Sequence, residues 1–125
     1  MGHRGTAKGH LSFIVYPGKR FPEGERAIAT DLWYSYLYAI DVFKGRFPKG
    51  ERAIATDAGW SYQYARDILK RRFPEGEKAI ATDAWHSYLY AKYVIIPIMA
   101  NPNFDPDTLP IEIKQELIEL IKEDQ

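Results

Sequence analysis

The sequence predicts an all-α protein: a short α-solenoid of three 26-residue helical hairpins with a C-terminal capping helix. Three observations carry that expectation. One block recurs three times without a gap, as RFPEGERAIATDLWYSYLYAIDVFKG from Arg20 to Gly45, RFPKGERAIATDAGWSYQYARDILKR from Arg46 to Arg71 and RFPEGEKAIATDAWHSYLYAKYVIIP from Arg72 to Pro97. Each block holds start and stop signals for two helices, and its length suffices for one of roughly 8 residues, one of roughly 13 and two tight connections. The flanks abandon the block, as the ends of a stacked array must, because an uncapped hairpin exposes its apolar side.

The elements follow in order along the block. Phe21, Phe47 and Phe73 each precede a proline, which holds them extended, so no helix runs through. Phe-Pro-x-Gly then reads either as a type I turn before a short helix over ERAIAT or EKAIAT, or as a longer helix with Pro at its first position. Asp31, Asp57 and Asp83 stand where a carboxylate caps a second helix, running to Lys44, Lys70 and Ile96. Gly45 is expected to close the first of these. Lys44, Arg46, Lys70, Arg71 and Arg72 fall at the negative ends of the long helices, and Glu23, Glu25, Glu51, Glu75 and Glu77 at the positive ends of the short ones, so local pairing is expected.

Residues 1–19 form an amino-terminal arm, Gly-rich and basic up to His10, and are expected to be partly disordered. Within it, Leu11 to Tyr16 reads as a short strand or the end of a degenerate helix. Residues 98–125 begin with a loop carrying three prolines between Asn101 and Pro110. A capping helix follows from Ile111 to Lys122, started by Asp107 or Thr108, with Ile111, Leu117, Ile118 and Ile121 sharing a face.

Composition limits the functional classes. With 125 residues, 46% of them hydrophobic and 14% aromatic, the chain fits one folded domain rather than a disordered tail. Seventeen Lys plus Arg balance seventeen Asp plus Glu, so no overall field draws the chain to nucleic acid or anionic lipid. The absence of cysteine removes disulfide scaffolds, thiolate zinc sites and thiol nucleophiles. No apolar run is long enough for a signal-peptide core or a membrane span, so the expected location is cytoplasmic with no membrane partner. His3, His10 and His86 lack metal-ligand spacing, and no phosphate loop or nucleophile elbow is present. Neither a cofactor, a metal nor an enzymatic activity is expected.

What remains is binding. The three blocks agree at 14 of 26 positions, ten of them among the first 12. On a wheel of ~100° per residue, the recurring Ser35, Tyr36, Tyr38, Ala39, Val42 and Phe43 span ~160° and form the packing side. The six Tyr of SYxYA read as core rings whose hydroxyls bond to the adjacent hairpin. The opposite arc changes between copies, and an outward surface is where a stacked repeat is free to do so. The expected partner-binding residues lie there: Trp33, Tyr34, Leu37, Trp60, Gln63, Arg66, Lys70, Trp85 and His86. Trp60, Gln63 and Arg66 are the expected solvent-facing contact point. The outer arcs, apolar at Trp33, Tyr34, Leu37 and Ile40 and again at Trp85, Leu89 and Tyr93, are either covered by the two flanks or used for contact. A protein partner leads. A nucleic acid or nucleotide held by Trp60, Arg66, Lys70 and the basic helix exits, or a homo-oligomer, are the alternatives.

RFPEGE, AIATD and SYxYAxDVxK, in tandem, resemble a short motif of bacteriophage and related mobile-element proteins, of the form GRFPEGExxIAxDxxYxYxYAxDVLKGRFPEGE. The likeness covers about 78 of the 125 residues. It departs at Gly59, where an aromatic or polar residue is usual, and at Ile95 to Pro97, where the Lys-Gly exit is lost and the array ends. The resemblance implies a viral or prophage origin, an all-helical array, nothing catalytic, and a partner derived from the host.

Overall fold

The computed structural model describes residues 18–124. The expectations for residues 1–17, including the strand or helix at Leu11 to Tyr16, fall outside them, as do His3 and His10. Among the described residues every regular element is helical, and no helix is long and apolar enough to cross a membrane.

The chain forms two compact units, residues 1–54 and 55–125. In the first, a 3-10 turn at Pro22–Gly24 leads into α1 (Glu25–Ile28), followed by α2 (Leu32–Tyr38), a π-helical segment (Ala39–Phe43), a second 3-10 turn (Pro48–Gly50) and α3 (Glu51–Ile54). In the second, α4 (Ala58–Gln63) passes into a π-helical segment (Tyr64–Leu69). Then come α5 (Pro74–Ala81), α6 (Ala84–Tyr90), a third π-helical segment (Ala91–Ile95), α7 (Ile96–Ile98), a 3-10 turn (Pro106–Thr108) and α8 (Ile111–Glu123). Both readings of Phe-Pro-x-Gly therefore occur: a turn before a separate short helix in the first two copies, and one continuous helix beginning at Pro74 in the third.

The starts of the long helices are local and recur. Asp31 accepts a hydrogen bond from the Tyr34 amide at 2.8 Å, Asp57 from that of Trp60 at 2.8 Å and Asp83 from that of His86 at 2.9 Å, each satisfying an amide with no partner inside its helix. Their ends differ from expectation. The backbone switches to i→i+5 bonding after Tyr38, Gln63 and Tyr90. That wider turn brings Phe43, five residues on, edge-to-face against Tyr38 at 5.3 Å between ring centres, where an α-helix would hold it ~140° away. A 3.6-residue wheel loses register there: Val42 and Phe43, expected on the packing side, are only half-buried.

Gly45 does not close the first long helix. Lys44 (φ 51°) and Lys70 (φ 53°) take the left-handed conformation, and the following amides of Gly45 and Arg71 return to the carbonyls of Ala39 and Ala65. In the third copy Ile96 holds this place. A β-branched residue is disfavoured there, so Ile96 stays right-handed at φ −53° and the chain runs on through α7.

Each repeat buries one glutamate in the first turn of its short helix, Glu25, Glu51 or Glu77, while Glu23 and Glu75 stay exposed. Glu25 is 0% exposed, and its carboxylate accepts from Arg20 Nε at 2.7 Å and from the Tyr38 hydroxyl at 2.7 Å. The same hydroxyl accepts from the Phe21 amide. In the third copy, Glu77 accepts from Arg72 and from Tyr90, and the Tyr90 hydroxyl accepts from the Phe73 amide. Arg46 pairs with Glu51 at 2.6 Å. The expectation was a bond to the adjacent hairpin; instead the Tyr38 and Tyr90 hydroxyls meet the amide and the carboxylate of their own repeat, because the Phe amide that opens it needs an acceptor. The Arg20 guanidinium, helped by Tyr38 and Lys49 and opposed by burial, holds the Glu25 carboxyl down to about 2. Burial, with the neighbouring carboxylate, pushes the Tyr38 hydroxyl up to about 12.

Close approach explains the recurring glycines. A Cβ at Gly50 would lie 2.6 Å from Ser35 Oγ, and one at Gly76 would lie 2.6 Å from Ser61 Oγ. These serines are themselves buried on the preceding long helix. In the second unit α8 packs on α5, α6 and the π-helical segment after α6. Its buried ridge is Ile113, Leu117 and Leu120, so of the four residues expected to share the packing face only Leu117 does; Ile111 is 59% exposed, and Ile118 and Ile121 lie outward with it. Neither Asp107 nor Thr108 caps α8. Its first residue follows Pro110, while Asp105 caps the preceding 3-10 turn and Asp107 pairs with Lys114.

Candidate interaction surface

The variable positions are sorted by the same packing that buries the recurring ones. In α2, Ser35 and Tyr36 are buried, which turns Trp33 outward and leaves Tyr34 and Leu37 half-buried. In the second unit, Ser61, Tyr62 and Tyr64 are buried while Trp60 and Gln63 are half-buried and Arg66 and Lys70 exposed. On α6, Trp85 is exposed, and His86 and Leu89 are half-buried. Each expected contact residue therefore has some surface, but Trp60 is not the most exposed of the tryptophans. Trp85 is, at 61%.

The second unit carries an aromatic arrangement that reaches the surface. Trp85 stacks on Tyr88 with ring centres 5.7 Å apart. Lys92 Nζ lies 5.6 Å from the centre of the Tyr88 ring and 5.5 Å from that of Tyr93, and donates to the Tyr88 hydroxyl at 3.3 Å. These contacts raise the Lys92 ammonium above its ordinary value, first through the Tyr88 hydroxyl. The spacing 85, 88, 92 sets three side chains along one stripe of α6 and its π-helical continuation. Trp85 was expected in the contact set and Tyr88 in the core, and Tyr93 was expected on an apolar outer arc, either covered by a flank or used for contact. Their spacing was the available signal.

Arg66 is less available than its position suggests. Its guanidinium makes two bonds to Asp67, donates to the Tyr62 hydroxyl at 3.0 Å and lies 5.0 Å from the centre of that ring. The Asp67 carboxylate, chiefly, raises its pKa further. A guanidinium so held offers little to a phosphate. His86 is likewise oriented: its Nδ1 bonds to Asp83, and its Nε2 faces Gly59, where a Cβ would come within 3.3 Å. The glycine that departs from the tandem motif thus makes room for the histidine on the next long helix. The Asp83 carboxyl is held below its ordinary value, first by the His86 amide and then by the imidazole.

Among the described residues no group of three or more His, Cys, Asp or Glu is placed to hold a metal ion. What the surface can do chemically is present flat aromatic area with the exposed Lys92 ammonium held against two rings, the materials of a protein contact. No family model matches the chain, and neither a curated protein nor a solved structure matches it.

Proposed function

We propose that this chain is a non-catalytic helical-repeat protein that binds a protein partner through the variable face of its long helices. The observation that carries the reading is the stripe of exposed Trp85, Lys92 and Tyr93 around half-buried Tyr88, on a helix that buries Ser87, Tyr90 and Ala91. Large aromatic rings ordered before contact cost little side-chain entropy on binding, which is why such residues dominate the energy of interfaces. Stacking of the three hairpins as a short α-solenoid is part of this reading. It is supported by the paired close approaches of Gly50 to Ser35 in one unit and Gly76 to Ser61 in the other, 26 residues apart on both sides. The tandem-motif resemblance adds a bacteriophage or mobile-element origin, with a host-derived partner met in the host cytoplasm.

The test is affinity capture from host extract with the intact chain and with a Trp85→Ala, Tyr93→Ala variant of unchanged helicity. The variant is expected to lose at least ~30-fold in affinity for the captured protein, since truncating a central aromatic anchor costs ~2 kcal/mol or more. Equal retention by both chains overturns the face. A second reading, a homo-oligomer, is favoured by the outward ridge of Ile111, Ile118 and Ile121 on α8.

A further inference from the structure

A second site stands apart from the aromatic stripe. Between the exit of the second repeat and the proline-rich loop lies an open cavity of about 220 Å³, lined by Arg71, Arg72, Pro74, Ile98, Asn101, Asn103 and Phe104. Its two arginines are in different states. Arg72 is consumed: Nε and Nη2 bond to the two Glu77 oxygens at 2.8 and 2.7 Å, Nη1 donates to Thr108 Oγ1 at 2.7 Å, and the guanidinium lies 6.0 Å from the centre of the Phe104 ring. Its charge is cancelled by a buried carboxylate, so it serves as a wall. Arg71 is exposed and has no ion-pair partner among the described residues.

The loop supplies the rest. Asn101 Oδ1 accepts from the Asn103 amide and the Phe104 amide returns to the Asn101 carbonyl, a turn that sets the Phe104 ring against Arg72. That bond turns Asn101 Oδ1 toward the loop and leaves its amide nitrogen as a donor, and the Asn103 side chain has no hydrogen bond among the described residues. The cavity therefore joins one uncompensated guanidinium and amide donors to an apolar surface of Pro74, Ile98 and Phe104, in a volume that holds a single side-chain-sized group.

We propose that this cavity binds a monocarboxylate joined to an apolar group, the carboxylate on Arg71 and the apolar group against Phe104, Ile98 and Pro74. One free positive charge matches a single negative one, and a planar carboxylate matches the fork of a guanidinium. A free organic acid and the carboxyl terminus of a peptide share this chemistry.

Backbone amide shifts of the intact chain, followed by NMR, test it with N-acetyl-leucine, N-acetyl-leucinamide, a blocked tripeptide acid ending in leucine, and inorganic phosphate. The two acids are expected to move the Asn103 and Phe104 resonances saturably, with the amide at least ~10-fold weaker and phosphate weaker still. Tighter binding of the tripeptide than of the free acid identifies a chain terminus as the source; equal binding identifies a free acid. Arg71→Gln, at an exposed position, is expected to weaken both acids ~10-fold without altering the rest of the spectrum. Equal binding of acid and amide, preference for phosphate, no saturable shift with either acid, or unchanged affinity in Arg71→Gln overturns the proposal.

Discussion

Glu25 shows how one side chain can organise a repeat. A carboxylate at the start of a short helix is expected on the surface, where it meets the helix dipole; here it is enclosed and held by Arg20, Tyr38 and Lys49. Its sequence signal was present, an Arg five residues before and a Tyr thirteen after in every copy, but neither spacing is a helical one, so only the folded hairpin joins them. The consequence is acid sensitivity. Because the folded carboxyl titrates at about 2, below its ordinary 4.5, its contribution is complete above the ordinary value and is lost as pH falls from there toward 2. Urea unfolding between pH 5 and pH 2 is expected to show a loss on the order of 3 kcal/mol from this group. Glu25→Gln, less stable at neutral pH, should show a flatter acid limb over that interval; parallel limbs would exclude the buried pair as the cause.

Lys70 governs the next scale, because the exit of a long helix depends on one residue in the left-handed region. Caps at Asp31, Asp57 and Asp83 were legible in sequence because they act over three residues of continuous chain. The exits were not: a glycine follows Lys44 and an arginine follows Lys70, and the i→i+5 bonding moves the turn to the lysine itself. Ile96, at the same place in the third copy, shows what a β-branched residue does, since the helix continues and the next Phe-Pro entry never comes. Replacing Lys70 with Gly is expected to raise stability by up to ~1 kcal/mol, and Lys70→Ile to lower it by ~1–2 kcal/mol. Urea midpoints of the two variants should therefore lie on opposite sides of the parent. A shift in the same direction would mean the left-handed turn is not what the position requires.

At the scale of the whole molecule, the described surface divides into apolar area that is covered and apolar area that is not. α8 has apolar residues on two sides, Ile113, Leu117 and Leu120 against its unit and Ile111, Ile118 and Ile121 away from it. Pattern alone put the second set inward. Both ridges suit a helix, and only the shape of α5, α6 and the π-helical segment after α6 selects between them. If the outward ridge serves self-association, light scattering at rising concentration should show a dimer that Ile118→Glu abolishes. A parent chain that stays monomeric, with capture of its partner lost in the Trp85→Ala, Tyr93→Ala variant, assigns contact to the α6 stripe instead.

By itself the sequence determined the helical class, the 26-residue period, the Pro-led entries and the aspartate caps. Each of these is a relation between residues only a few bonds apart, where local sterics and one hydrogen bond decide. Tertiary structure alone decided that Glu25, Glu51 and Glu77 go inside, that the long helices finish in π-helical turns, which ridge of α8 is covered, and that Arg71 has no ion-pair partner among the described residues. Those outcomes depend on which distant groups can satisfy a buried polar atom or fill a gap, and no spacing along the chain records them.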